Sequence, residues 1–182
     1  MKLIIGLGNP GQKYELTRHN LGFIFLNKLR DKWLFPNFSD EQKFNAEISQ
    51  GEIAGEKIIL AKPQNFINLS GETVKKIMTF YKISVDNLLI IHDDIDIYCG
   101  KYKLATESSS AGHNGVQNII DNLGTKKFAR LRIGVKKEAS ENEKEVQMEA
   151  SDFVLGKLEI TELEKITNIE KAVLGEVEKI IV

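Results

Sequence analysis

The 182-residue chain has one cysteine, three histidines and no apolar run near bilayer length. With a single thiol, Cys99, no internal disulfide can form, and Cys99 sits in no metal-ligand spacing, as expected for a reducing compartment. Met1-Lys2 leads into only three apolar residues before Gly6, too short for the apolar core of a secretory signal. A cytoplasmic protein without membrane contact is the expectation. There is no internal repeat, no G-x-S-x-G elbow to carry an acyl-enzyme, and no H-x-x-x-H or cysteine cluster to hold zinc. With 42% hydrophobic residues, the chain is expected to form one domain over residues 1–182.

The net charge of −1 conceals an uneven distribution. Residues 1–137 carry 20 Lys plus Arg against 14 Asp plus Glu, a balance of +6, whereas residues 138–182 carry 5 against 12, a balance of −7. The densest basic stretch runs from Lys126 through Arg130 and Arg132 to Lys137, with charges alternating as on one face of a strand. Such a face is either solvated or an edge that contacts phosphate.

Apolar patterning alternates strands with helices. Lys2 to Ile5 reads as a buried strand, followed by a helix from Leu21 to Trp33. Phe44 to Ile48 and Lys57 to Ala61 read as a hairpin, and an amphipathic run follows Asn68 to Tyr81. Leu88 to Ile91 is a strand expected to end at His92-Asp93-Asp94-Ile95-Asp96. A short strand at Tyr102 to Leu104, a helix from Val116 to Leu123, the basic strand Phe128 to Val135, a charged connector from Lys136 to Ala150 and a last helix complete the chain. The expected fold is an α/β/α sandwich around a mixed, mostly parallel twisted sheet.

Gly6-Leu7-Gly8-Asn9-Pro10-Gly11 fits the dinucleotide pattern G-x-G-x-x-G. That reading fails on two counts: Pro10 removes an N–H from the cradle, and the nearest acidic residue at the required distance, Asp31, lies within a helical pattern. His92 with Asp93, Asp94 and Asp96 offers imidazole and carboxylate donors, but without ligand spacing no metal is expected. A histidine at a strand-to-helix junction, a carboxylate, and Asn9, Asn68 and Asn114 in loops suit activation of water. The carboxylate fixes the imidazole tautomer, and the neutral amides bind peptide groups or an oxyanion.

Six stretches in order resemble the bacterial-type peptidyl-tRNA hydrolase family. They are Gly6 to Gly11 with Tyr14 and Thr17 to Gly22, Phe66 to Gly71, His92 to Asp96, Gly112 to Gly115, Arg130 to Gly134, and Phe153 to Gly156. The resemblance implies hydrolysis, without cofactor or metal, of the ester joining a peptide to the 3′-terminal ribose of tRNA. It implies His19 as the base, Asp93 as its support, Asn9 as the group that tells a blocked amino group from a free one, and Asn68 and Asn114 as positioning groups. Tyr14 and Phe66 would line the cleft. Lys103, Arg130 and Arg132 are candidates for tRNA phosphates, with Lys126 and Lys127 as weaker ones, and a monomer is expected. Ile67 departs from the family, where methionine is common, as does Thr106 to Ser110, where glycine is usual. The rival readings are a non-catalytic RNA-binding relative, a nucleotide-dependent enzyme using the Gly6 to Gly11 loop, and metal-assisted hydrolysis.

Overall fold

In the computed structural model, which describes residues 1–138 and 149–181, the run Lys2–Gly6 is β1, near the middle of a seven-stranded sheet. Leu3, Ile4 and Ile5 have no exposed surface. Each contributes about 1.5–3 kcal/mol by leaving water, and a strand covered on both faces reads as an unbroken apolar run. The other strands are β2 (Ser39–Glu41), β3 (Ala46–Ile53), β4 (Glu56–Pro63), β5 (Leu88–Tyr98), β6 (Tyr102–Ala105) and β7 (Ala129–Lys136). Their order is β2-β3-β4-β1-β5-β7-β6. The central four, β4, β1, β5 and β7, run parallel, and the pairings toward both edges are antiparallel.

Among the described residues, five helices cover the two faces: α1 (Leu21–Lys32), α2 (Ser70–Tyr81), α3 (Asn114–Leu123), α4 (Ala150–Leu155) and α5 (Ile160–Ile181). Ile4, Leu60, Leu89, Ile91 and Leu131 face α1 and α5 in one core. Leu3, Ile5, Ile59 and Ile90 face α2 and α3 in the other. The chain leaves β1 for one face through α1 and leaves β4 for the opposite face through α2. The carboxyl ends of β4, β1 and β5 therefore border a crevice where the winding reverses, the place where open α/β sheets bind ligands.

The expected α/β architecture is present, with two local differences. The polar run His92 to Asp96 does not follow a strand; it belongs to β5, which pairs with β7 through His92↔Arg132 and Asp93↔Ile133 before an irregularity beyond Asp94. His92, Asp93 and Asp94 are tolerated in this buried stretch because each side chain has a hydrogen-bond partner, through Nδ1 in the case of His92. β2 extends the expected hairpin by one short strand. Most of the charged connector between Lys136 and Ala150 lies outside the described residues.

Two glycines set the approach of α1 to the sheet. A Cβ on Gly6 would stand 2.4 Å from the carbonyl oxygen of Gly22, and one on Gly22 would stand 2.3 Å from the backbone nitrogen of Leu7 and 2.4 Å from the carbonyl oxygen of Ile91. Only bare backbone on both sides lets the first turn of α1 press against the ends of β1 and β5. That contact carries the preceding 3-10 turn, Arg18–Asn20, to within reach of β5.

Candidate active site

His19 lies in that turn, largely buried, and its Nδ1 is 2.8 Å from Asp93 Oδ1 on β5. A second imidazole meets the same oxygen: His113 Nε2 is 3.2 Å away. His113 is the N-cap of α3, and its Nδ1 accepts the backbone N–H of Val116 at 3.3 Å. A nitrogen that accepts an N–H carries no proton, so in His113 the proton sits on Nε2 and is donated to Asp93. With a carboxylate oxygen as partner, His19 donates from Nδ1, which leaves its Nε2 as the acceptor nitrogen of the ring. Sequence reasoning missed this part of His113; the helix-capping position beside Asn114 was the available signal.

Asp93 is almost fully buried. Burial pushes its carboxyl toward the neutral form, but His19 and His113, through charge and hydrogen bonds, outweigh that and hold it well below the usual carboxylate range. His92, behind this group, is also buried; its Nδ1 donates to the backbone carbonyl of Asp93 at 2.6 Å. Burial, reinforced by nearby His113, lowers its pKa well below that of free histidine, so it stays neutral.

Asn9 is held from both ends. Its backbone N–H donates to Asn20 Oδ1 at 2.9 Å, its carbonyl accepts from Asn20 Nδ2 at 3.0 Å, and its own Oδ1 accepts the backbone N–H of Ile67 at 2.9 Å. Because Oδ1 is spent on Ile67, the part of Asn9 left for a ligand is its NH2 group, a donor. Asn20 was not singled out in the sequence, yet it is the residue that fixes Asn9. The loop N–H of Asn9 is turned inward by this bond, which removes it from any phosphate cradle.

These groups open into a cleft of about 580 Å³. Tyr14, Phe66 and Ile67 line it, as do Asn68 and Asn114, both exposed. Val154 and Leu155 of α4 line it as well, a contribution that sequence reasoning did not identify. All seven expected residues of the catalytic group and cleft, Asn9, Tyr14, His19, Phe66, Asn68, Asp93 and Asn114, are thus brought together. His19, Asp93 and His113 also place three potential metal donors within 4.8 Å of one another. In this arrangement the proton on His113 Nε2 makes that atom a hydrogen-bond donor rather than a ligand.

The basic candidates separate into different environments. Arg130 is 1% exposed, and its guanidinium donates to the carbonyl of Ser109 at 2.8 Å and to that of Ser108. In this arrangement the guanidinium is turned to the Ser108–Ser109 backbone rather than to solvent. Arg132 is half-buried and donates to Asp94 Oδ2 at 2.6 Å. Lys103, directly across from Arg132 in the β6–β7 register, is exposed, as are Lys126 and Lys127.

The peptidyl-tRNA hydrolase family model matches residues 3–182. The chain belongs to that family. It is 44% identical over 174 residues to a peptidyl-tRNA hydrolase of Bacillus cereus, covering 94% of this chain and 89% of that one. It is 44% identical over 162 residues to one of Brevibacillus brevis, covering 89% and 82%. Among solved structures, it is similar to peptidyl-tRNA hydrolase from Acinetobacter baumannii, with TM-score 0.84 and 33% identity over 100% of this chain and 92% of that one. It is also similar to a peptidyl-tRNA hydrolase crystallised with N-propanol, with TM-score 0.89 and 34% identity, covering 100% and 88%. The chain is a hydrolase that cleaves the ester of peptidyl-tRNA. No described helix is long and apolar enough to cross a membrane.

Proposed function

We propose that His19 Nε2 takes a proton from water as the water oxygen attacks the ester carbonyl at the 3′ end of peptidyl-tRNA. The observation that carries this is the Nδ1 contact with Asp93, which fixes the tautomer and gives the resulting imidazolium an adjacent negative charge. The tetrahedral oxyanion is stabilised by the NH2 of Asn9, held in place by Ile67 and Asn20. Collapse breaks the bond to the ribose oxygen, which takes the proton back from His19 as free tRNA leaves and the carboxylic acid is released.

Asn68 and Asn114 orient the peptide and the water, and Tyr14 and Phe66 hold the apolar parts of the acyl group. A free α-ammonium would lose water in this cleft without gaining an anion, whereas an N-acylated nitrogen carries no charge to desolvate. Lys103 and Arg132 on the β6–β7 edge supply phosphate contacts, with Lys126 and Lys127 outside them. We further propose that a single domain over residues 1–182 acts as a monomer in the cytoplasm.

The test is single-turnover release of an N-acetylaminoacyl group from tRNA, alongside the same tRNA with a free amino group. Wild type should cleave only the blocked ester, and His19→Ala should lose nearly all of that rate while retaining its fold and tRNA affinity. Unchanged turnover in His19→Ala would overturn the base assignment. Binding without cleavage by wild type would favour the RNA-binding reading.

A further inference from the structure

The residue before His19 is a buried cation that the reaction above does not use. Arg18 is 5% exposed, and Glu162 in the first turn of α5 answers its charge in a fork: Nε donates to Oε1 at 2.8 Å and Nη2 to Oε2 at 2.7 Å. Nη1 donates to the carbonyl of Phe153 near the end of α4 at 3.1 Å, and the guanidinium lies 4.3 Å from the centre of the Phe153 ring. The backbone joins in: Arg18 N–H donates to Gly156 at 3.1 Å and Leu158 N–H to Leu16 at 2.8 Å, around an antiparallel bridge between Thr17 and Lys157. A Cβ on Gly156 would stand 2.6 Å from Nη1, so glycine is what admits the guanidinium there.

A buried ion pair is a weak source of net stability, because two charges must first be desolvated. What the fork does supply is a fixed plane and direction. Here that plane joins the turn that carries His19 to α4, whose Val154 and Leu155 line the same cleft. We propose that Arg18 is a positioning residue for the hydrolysis, holding the α4 wall, and the part of the substrate against it, in register with His19. The proposal rests on the assignment of His19 as the base.

Arg18→Lys keeps the charge but cannot make the fork and reach Phe153 together. With N-acetylaminoacyl-tRNA it should lower kcat by about tenfold, since small misplacements of a reacting group cost rate steeply. The affinity for deacylated tRNA and the pH midpoint of kcat should stay at wild-type values, because neither the phosphate contacts nor the His19–Asp93 pair is touched. Leu155→Ala should lower kcat in the wild-type background and add little in the Arg18→Lys background, the signature of two groups acting as one unit.

A purely structural Arg18 would show a lower Tm with unchanged kcat, or losses that simply multiply with Leu155→Ala; either result overturns the proposal. If Arg18→Lys fails to fold, Arg18→Met/Glu162→Leu removes both charges at similar volume and should fold. That double variant should show the same kcat loss, and wild-type kcat in it would overturn the proposal. Failure of the wild-type enzyme to cleave, or full rate in His19→Ala, would instead defeat the His19 assignment and this proposal with it.

Discussion

Val116 and His113 share one hydrogen bond, backbone N–H to Nδ1 at 3.3 Å, and it decides which proton His113 can carry. With Nδ1 taken up by that cap, His113 presents Nε2 to Asp93 as a donor, beside His19 Nδ1 on the same oxygen. Asp93→Asn should reduce single-turnover cleavage by about 10²–10⁴-fold, as removal of an orienting carboxylate does elsewhere. His113→Phe removes the second donor to Asp93 and should cost about tenfold in rate, with about 1 kcal/mol of stability from the lost cap. Stopped-flow or quench-flow rates beside urea melts separate the two effects; a wild-type rate in His113→Phe would remove it from the active group.

Asn9 offers a test in which one substitution preserves structure and removes chemistry. Asn9→Asp keeps an oxygen for the N–H of Ile67, but has no NH2 to offer an oxyanion and adds a negative charge there. Asn9→Ala loses both. Turnover should fall in both variants by about 10²-fold or more, the loss expected for an oxyanion donor, whereas only the alanine variant should lose the support of Ile67 and show a clear drop in Tm. Aspartate retaining full rate would mean that the amide does not donate to the reaction.

How much could be read without coordinates follows from where each signal resides. β1 was legible because a strand covered on both faces needs an unbroken apolar run, and His19 because it stands where that run gives way to a constrained polar turn. The continuation of β5 through His92 and Asp93 was not legible, since its polar side chains look like a loop until their partners are known. Those partners are distant: His19 is 74 residues from Asp93 and His113 is 20. Arg130 and Arg132 alternate identically whether a strand face meets solvent or a covering loop, and only the carbonyls of Ser108 and Ser109 distinguish the cases. Arg18 was equally silent, because its partner Glu162 is 144 residues away in an acidic segment that reads as solvated surface.

Salt dependence separates the basic residues. Lys103 is exposed and has no described salt-bridge partner, whereas Arg132 spends its Nε on Asp94. Each lysine or arginine that neutralises a phosphate should contribute about 0.7–0.9 to the slope of log Kd against log salt. Lys103→Ala should remove about one such contribution. Arg130→Ala should leave the slope unchanged and instead destabilise the Ser108–Ser109 loop, read as faster proteolysis there. If Arg130→Ala lowers the slope as Lys103→Ala does, the loop opens in the complex and Arg130 reaches RNA after all.

His92 gives the fold a pH dependence of definite sign. Its pKa is held well below the free value by burial first and by His113 next, with Arg130 adding and Asp93 opposing. Its Nε2 is buried without a hydrogen-bond partner among the described residues, so a proton arriving there finds no acceptor. In the unfolded chain a histidine takes up its proton near pH 6.5. Below that pH the unfolded state binds a proton that the folded state refuses, and this group's contribution falls by up to about 1.4 kcal/mol per pH unit as pH decreases. Asp93, whose pKa is depressed, adds a separate loss only below about pH 4, where the unfolded carboxyl begins to protonate. Urea titrations at pH 7.5, 6.5 and 5.5 on wild type and His92→Asn isolate the His92 contribution, since they stay above the Asp93 window. Asparagine keeps a donor for the Asp93 carbonyl and does not titrate, so its stability should decline less steeply across this range; parallel slopes would show that His92 accepts its proton in the folded enzyme as readily as in the unfolded chain.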